Sequence, residues 1–193
     1  MKEVGRLFST DMVHAIMDGR KFYTRRLIKK FPCTGYKWAG WITDSTDGKE
    51  IGDAVIVPEN KEVYDHTNAI YAKPPVAIGD RIYVRETWSK DSNGTIVYRA
   101  DKMFDEMKTF DWDWCPSLFM PKAYARIWLE VTNVSVELIR NITDMEAKLE
   151  GFYDCDQFLN YMFTKYLKEQ TDNAVNSILN SWVWVIDFKR IEH

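Results

Sequence analysis

The residues best able to do chemistry lie in one short run, Gly19-Arg20-Lys21-Phe22-Tyr23-Thr24-Arg25-Arg26. It sets a lysine, a hydroxyl and arginines directly after a short amphipathic helix, and from Arg20 to Lys30 there are six basic residues and no acidic one. Like charges around Lys21 lower its pKa, which makes it a base near neutral pH. A threonine hydroxyl beside such a base is a nucleophile. Lys21 and Thr24 are three apart, so a regular strand sends them to opposite faces, and they meet only across a turn or bulge. The competing reading is a solvated basic turn in which Thr24 bonds only to the backbone.

Two carboxylates complete the list of reactive groups. Glu150 falls near the end of a short capped helix, where the negative end of the helix dipole disfavours charge, the direction a general acid needs. Glu86 lies in the run Arg81-Ile82-Tyr83-Val84-Arg85-Glu86-Thr87-Trp88. Alternation puts Arg81, Tyr83 and Arg85 on one face, able to receive phosphate or a base, and Ile82, Val84 and Glu86 on the other. The alternative is a half-buried strand with a solvated arginine face and Glu86 paired internally with an arginine. His14, His66 and His193 are scattered without ligand spacing, so no metal and no cofactor is expected. P-loop, dinucleotide-binding and serine-hydrolase signatures are absent.

These residues need elements to hold them. The first helix reads from Ser9 or Thr10 as N-cap, with Met12, Val13, Ile16 and Met17 on one face and Gly19 as its stop. Gly5 to Phe8 reads as a strand before it. Gly79-Asp80 turns into the Arg81 strand, and Ile96-Val97-Tyr98-Arg99 is expected to pair with that strand across Asp91-Ser92-Asn93-Gly94. Ile127, Leu129 and Val131 alternate with Arg126, Trp128 and Glu130, then a turn at Thr132-Asn133 leads into Val134–Leu138. Thr143-Asp144-Met145-Glu146 is a capping box closed by Gly151. Helices follow over about Asp156–Lys168 and Asn173–Asn180, and Trp182–Phe188 is a buried terminal strand. Residues 31–77, rich in Gly, Asp, Thr and Pro, read as an insertion or long loop excursion within a single domain of residues 1–193. Residues 101–122 are mixed and acidic. Short strands with helices between them point to an α+β fold around a small antiparallel barrel.

A formal charge of -3 excludes wholesale polyanion binding and confines any nucleic-acid role to a local patch. Cys33, Cys115 and Cys155 fit neither a zinc site nor a disulfide framework and suggest a reducing compartment. With no apolar leader at Met1–Arg6 and no stretch near the length of a membrane span, the expectation is a cytoplasmic protein with no membrane partner.

Taken together, Gly19-x-Lys21-x-x-Thr24-x-Arg26, the Gly79-Asp80 turn with Val84-Arg85-Glu86-Thr87-Trp88, and Trp182–Arg190 resemble an ASCH domain of the PUA-like superfamily. The longer bacteriophage and prophage members are most similar, since Pro116-Ser117, Met120-Pro121 and Arg126 also fit. Residues 31–77 fit less well. The resemblance implies a small β-barrel with flanking helices, a cleft for RNA or a modified base, and a bacterial host cytoplasm. One branch of that family removes the acetyl group from N4-acetylcytidine, and by that likeness Lys21, Thr24 and Glu150 are the catalytic set. Lys21 would take the proton of Thr24, whose oxygen attacks the acyl carbonyl, while Glu150 protonates the leaving amine or activates water. Arg20, Arg25, Arg26, Arg81, Arg85, Glu86, Trp88 and Arg126 are the candidate binding residues. Three readings stand: a hydrolase of an N4-acyl amide, a noncatalytic RNA-binding module, and a ribonuclease. The ligand is a nucleoside, an RNA or a modified DNA pyrimidine.

Overall fold

In the computed structural model the described residues are 1–44, 48, 51–59, 68–101, 112–167 and 171–192. His66, His193 and residues 102–111 of the acidic stretch lie outside them. The chain is α+β. Its main sheet has five strands: β1 (Glu3–Leu7), β2 (Tyr23–Leu27), β6 (Arg81–Arg85), β9 (Trp128–Leu138) and β10 (Trp182–Ile191), in the order β1-β6-β9-β10-β2. All neighbours are antiparallel except β1 and β6, which run parallel. Among the described residues no closed barrel is formed. The two edge strands nonetheless approach, because Arg26 Nη2 on β2 donates to the Leu7 carbonyl of β1 at 3.2 Å.

Strand β10 is apolar on both faces because both are covered. Trp182, Trp184, Ile186 and Phe188 enter the main core, whereas Val183 and Val185 enter a second core. That second core lies under α2 (Asp144–Leu149), α3 (Cys155–Tyr166) and α4 (Asp172–Leu179). The turn expected at Thr132-Asn133 does not exist. Strand β9 runs straight through, with Asn133 opposite Asp187 and Val131 opposite Phe188, so Thr132 is the extra residue of a bulge. The bulge shifts the face by one: Leu129 and Val131 before it, and Val134, Val136 and Leu138 after it, all face the main core. A break in alternation is what made the sequence read as a turn.

The described part of residues 31–77, read from the sequence as an insertion or long loop excursion, holds a second sheet of β3 (Tyr36–Trp41), β4 (Ala54–Pro58) and β5 (Ile70–Ala72). Phe31, Ala54, Ile56, Ala72 and Val76 are buried in the main core, and Trp41 stacks on Trp184 with centroids 6.0 Å apart. A short apolar run such as Ala54–Val57 gives no periodicity by which to recognise a fully buried strand. Ile96–Tyr98 (β8) pairs not with β6 but with its continuation, Trp88–Lys90 (β7), as a separate two-stranded hairpin.

Helix α1 (Thr10–Met17) forms as its sequence requires. Ser9 Oγ caps the Met12 amide at 3.4 Å, Met12, Val13, Ala15 and Ile16 are buried, and Gly19 ends the helix at φ +67°. Helix α2 carries the full capping box, with Thr143 Oγ1 accepting from the Glu146 amide and Glu146 Oε2 accepting from the Thr143 amide. Among the described residues no helix is long and apolar enough to cross a membrane.

Candidate functional site

The ends of α1 and α2 bring Lys21 and Glu150 together. After Gly19 the chain folds back on the helix, so that the Arg20 and Lys21 amides both donate to the Ala15 carbonyl, at 2.8 and 3.0 Å. Phe22 N then donates to the Leu149 carbonyl at 2.7 Å, and Lys21 pairs with Glu150 as an isolated β-bridge. Gly151 makes this approach possible. It has φ +89°, and a Cβ there would lie 2.7 Å from Ala15 Cβ. Two helix ends and one irregular turn thus meet where no side chain fits.

Lys21 is 2% exposed and Glu150 is 2% exposed. Lys21 Nζ donates to the Glu150 carbonyl at 2.7 Å and to Glu150 Oε2 at 3.2 Å. The other carboxylate oxygen, Oε1, accepts from Arg25 Nη1 at 3.1 Å. Arg25 in turn reaches Glu137 at 3.0 Å and Glu146 at 3.3 Å. Burial pushes the Lys21 ammonium below its ordinary pKa, the charges of Arg26 and Arg25 push the same way, and Glu150 opposes them. The sequence expectation of a depressed lysine therefore has a different first cause, desolvation. Arg20, expected to add to the repulsion, stands in solvent paired with Asp18 at 3.1 Å. For Arg25 burial works against the charge, but Glu150 and Glu137 outweigh it and its pKa rises.

Thr24 lies on β2 opposite Ile186 and is also 2% exposed. Among the described residues its hydroxyl has no hydrogen-bond partner, and no bond joins it to Lys21 or Glu150. Strand alternation sends Thr24 and Arg26 towards the main-core face and Arg25 towards the helices, where its guanidinium lies 5.9 Å over Phe158. The turn in this segment lies at Asp18-Gly19, before Lys21; between the two residues the chain passes from the Lys21 bridge directly into β2 at Tyr23.

The remaining binding candidates form a second cluster. Glu86, 1% exposed, accepts two bonds from Arg126, at 2.9 Å each, so the internally paired reading of this carboxylate is the observed one. Arg126 also pairs with Asp101 and lies 3.9 Å over the Tyr98 ring. Burial raises the Glu86 pKa and Arg126 draws it back. Arg85 is spent on the Met120 and Leu118 carbonyls, and Trp88 packs on Tyr124 at 5.0 Å. Arg81 stays half-buried on β6, with no bond to either cluster. No hydrogen bond or ion pair links these residues to Lys21 or Glu150. Among the described residues the candidates expected to share a basic cleft thus form two hydrogen-bonded groups, one around Lys21, Glu150 and Arg25 and one around Glu86 and Arg126. The sequence reading missed Glu137 and Glu146, the other partners of Arg25, and Tyr161 and Lys165, which share one face of α3 by their spacing of four.

A cavity of about 600 Å³ lies behind the bridge, lined by Arg20, Phe22, Gly151, Phe152 and Tyr153 among others. Lys21 and Glu150 are not part of its wall. Comparison with protein-family models, with curated proteins and with solved structures finds no match to this chain.

Proposed function

We propose that the chain is an ASCH-type, PUA-like protein that binds RNA or a modified nucleobase and hydrolyses the N4-acyl amide of acetylated cytidine. The observation that carries this reading is the fully buried Lys21–Glu150 pair, with the buried Thr24 three residues along the chain from Lys21. The curled sheet with helices on its flank supports the PUA-like reading. Three unpaired cysteines support a place in a reducing compartment such as the cytoplasm.

In its neutral form the Lys21 amine has two N–H groups, both satisfied by Glu150, and one lone pair left to accept a proton. That lone pair takes the Thr24 proton as Oγ1 attacks the acyl carbonyl. The tetrahedral adduct then expels the cytosine amine, which takes the proton back, leaving an acyl ester on Thr24. Water, deprotonated by Lys21, attacks the ester carbonyl, and the carboxylic acid leaves as Lys21 returns that proton to Thr24 Oγ1. Glu150 holds the amine in place throughout, and Arg25 holds Glu150.

A second reading is favoured by the same burial. A carboxylate clamped between Lys21 and Arg25 at 2% exposure also serves a noncatalytic RNA-binding module, with the pair as its structural pin. The test is incubation of the purified chain and of Thr24→Ala with N4-acetylcytidine, following cytidine by chromatography. The expected result is release by the wild type and a loss of about a thousandfold or more in the variant. Full activity in Thr24→Ala removes the nucleophile assignment. No release from a folded wild type favours the noncatalytic module.

A further inference from the structure

Arg6 and Arg26 stand at the gap between the edge strands and Lys165 of α3 lies within the field of Arg26, and none of the three has a carboxylate partner among the described residues. Arg26 donates only to carbonyls, those of Leu7 at 3.2 Å and Arg25 at 3.5 Å. Arg6, one residue before Leu7 on β1, donates to the Pro75 carbonyl at 3.2 Å. Its Nε is buried and has no acceptor among the described residues. Lys165 on α3 lies 4.9 Å over the Tyr161 ring and 5.3 Å over the Tyr166 ring, and donates to the Tyr161 hydroxyl at 2.7 Å.

The contrast with the other cations of the core is sharp. Arg25 has three carboxylates, Arg126 two and Lys21 one. A guanidinium offers five N–H donors, so both Arg6 and Arg26 keep donors to spare. The field at this place is positive. Burial lowers the Arg6 pKa first and the Arg26 charge adds to it. Lys165 falls to about 8, through burial along the tyrosine rings, then through Arg26, with Lys21 adding and Glu150 opposing. Like charges gathered without a counter-ion are an arrangement that an anionic ligand relieves.

We propose that Arg6, Arg26 and Lys165 bind the phosphate of a nucleotide beside the Lys21–Glu150 pair, so that the ligand is a nucleotide unit rather than a free nucleoside. The base half of this statement rests on the function proposed above; the phosphate half stands on the cation cluster alone. Charge-assisted bonds from planar guanidinium groups suit a tetrahedral oxyanion, and the Tyr161 and Tyr166 rings limit where the Lys165 amine can go.

Isothermal titration of the full chain with cytidine 5′-monophosphate, cytidine and inorganic phosphate at low salt tests this, with Arg6→Gln and Lys165→Gln alongside. Lys165 is more exposed than Arg6, so its variant reports even if Arg6→Gln fails to fold. The expected result is binding of the monophosphate about tenfold or more tighter than cytidine, falling to the cytidine level in either variant and weakening steeply with salt. Equal affinities for monophosphate and cytidine, unmoved by the variants, overturn the phosphate site and leave the nucleobase reading intact. Equal binding of monophosphate and phosphate, lost in the variants, with none of cytidine, supports the phosphate site and counts against the nucleobase reading. No binding of any of the three overturns both.

Discussion

At the scale of the residue, Lys21 carries a testable thermodynamic signature. Its folded pKa is depressed below the ordinary value of 10.5, so between those two values the unfolded chain holds more protons than the folded one. Stability contributed by this group therefore rises with pH across that window and levels off above it. Below the depressed value the folded state carries a desolvated ammonium and gains nothing from further acid. Urea midpoints of the wild type relative to Lys21→Met, taken at pH 7.5 and 9.5, should move in favour of the wild type as pH rises. A gap that narrows with pH would mean that Glu150 holds the proton on Lys21 more strongly than burial removes it. The partners of Arg25 have a similar logic. A guanidinium shared by Glu137, Glu146 and Glu150 costs desolvation, yet it fixes where the Glu150 carboxylate stands.

At the scale of the element, the site depends on a junction without side-chain volume. Gly151 lets the end of α2 pass against Ala15 of α1, and only there does a glycine have both a positive φ and a blocked Cβ direction among the described left-handed glycines. Gly94, in the β7–β8 turn at φ +81°, meets nothing within 4 Å. Gly94→Ala is expected to cost about 1 kcal/mol of backbone strain, and Gly151→Ala about 3 kcal/mol or more, because strain and overlap add. Thermal or urea unfolding of both variants measures the difference. Equal losses would show that α1 and α2 separate easily, and that the Lys21–Glu150 bridge is held by its ion pair rather than by this junction. The caps that start these helices are local, and so Ser9, Thr143 and Glu146 were readable from the sequence. The bulge at Thr132 was not, because its cause is the register of β10 on the neighbouring strand.

At the scale of the molecule, the two sheets share one core. Trp41 lies on Trp184, and Ile56 and Ala72 are buried among the same residues as Val84, Leu129 and Ile186. A shared core makes one cooperative unit. Deletion of residues 31–77 with a short Gly-Ser linker should therefore leave a chain that has lost its near-ultraviolet dichroism and its sharp urea transition. A deleted chain that still unfolds cooperatively would restore the view of this segment as a dispensable insertion. The same packing explains why β10 is apolar throughout, with one face under the second sheet's tryptophan and the other under α2, α3 and α4.

The sequence by itself determined the elements whose signals are local. These are the capped helices, the alternating β6 face with Ile82 and Val84 inside, the terminal strand, and the concentration of charge from Arg20 to Arg26. It also placed Lys21, Thr24 and Glu150 among the candidates, and all three are buried. Only the tertiary structure decided which of them touch. Lys21 and Glu150 are 129 positions apart, and their contact follows from two helix ends meeting at Gly151, a fact about packing that no periodicity records. It likewise sorted the arginines: Arg25 and Arg126 into carboxylate clamps, Arg85 onto carbonyls, and Arg6 with Arg26 into a gap without a counter-ion. The physical reason is that charge pairing acts through space between residues distant in sequence. A run of basic residues shows how much charge is present, and only the fold sets what each charge faces.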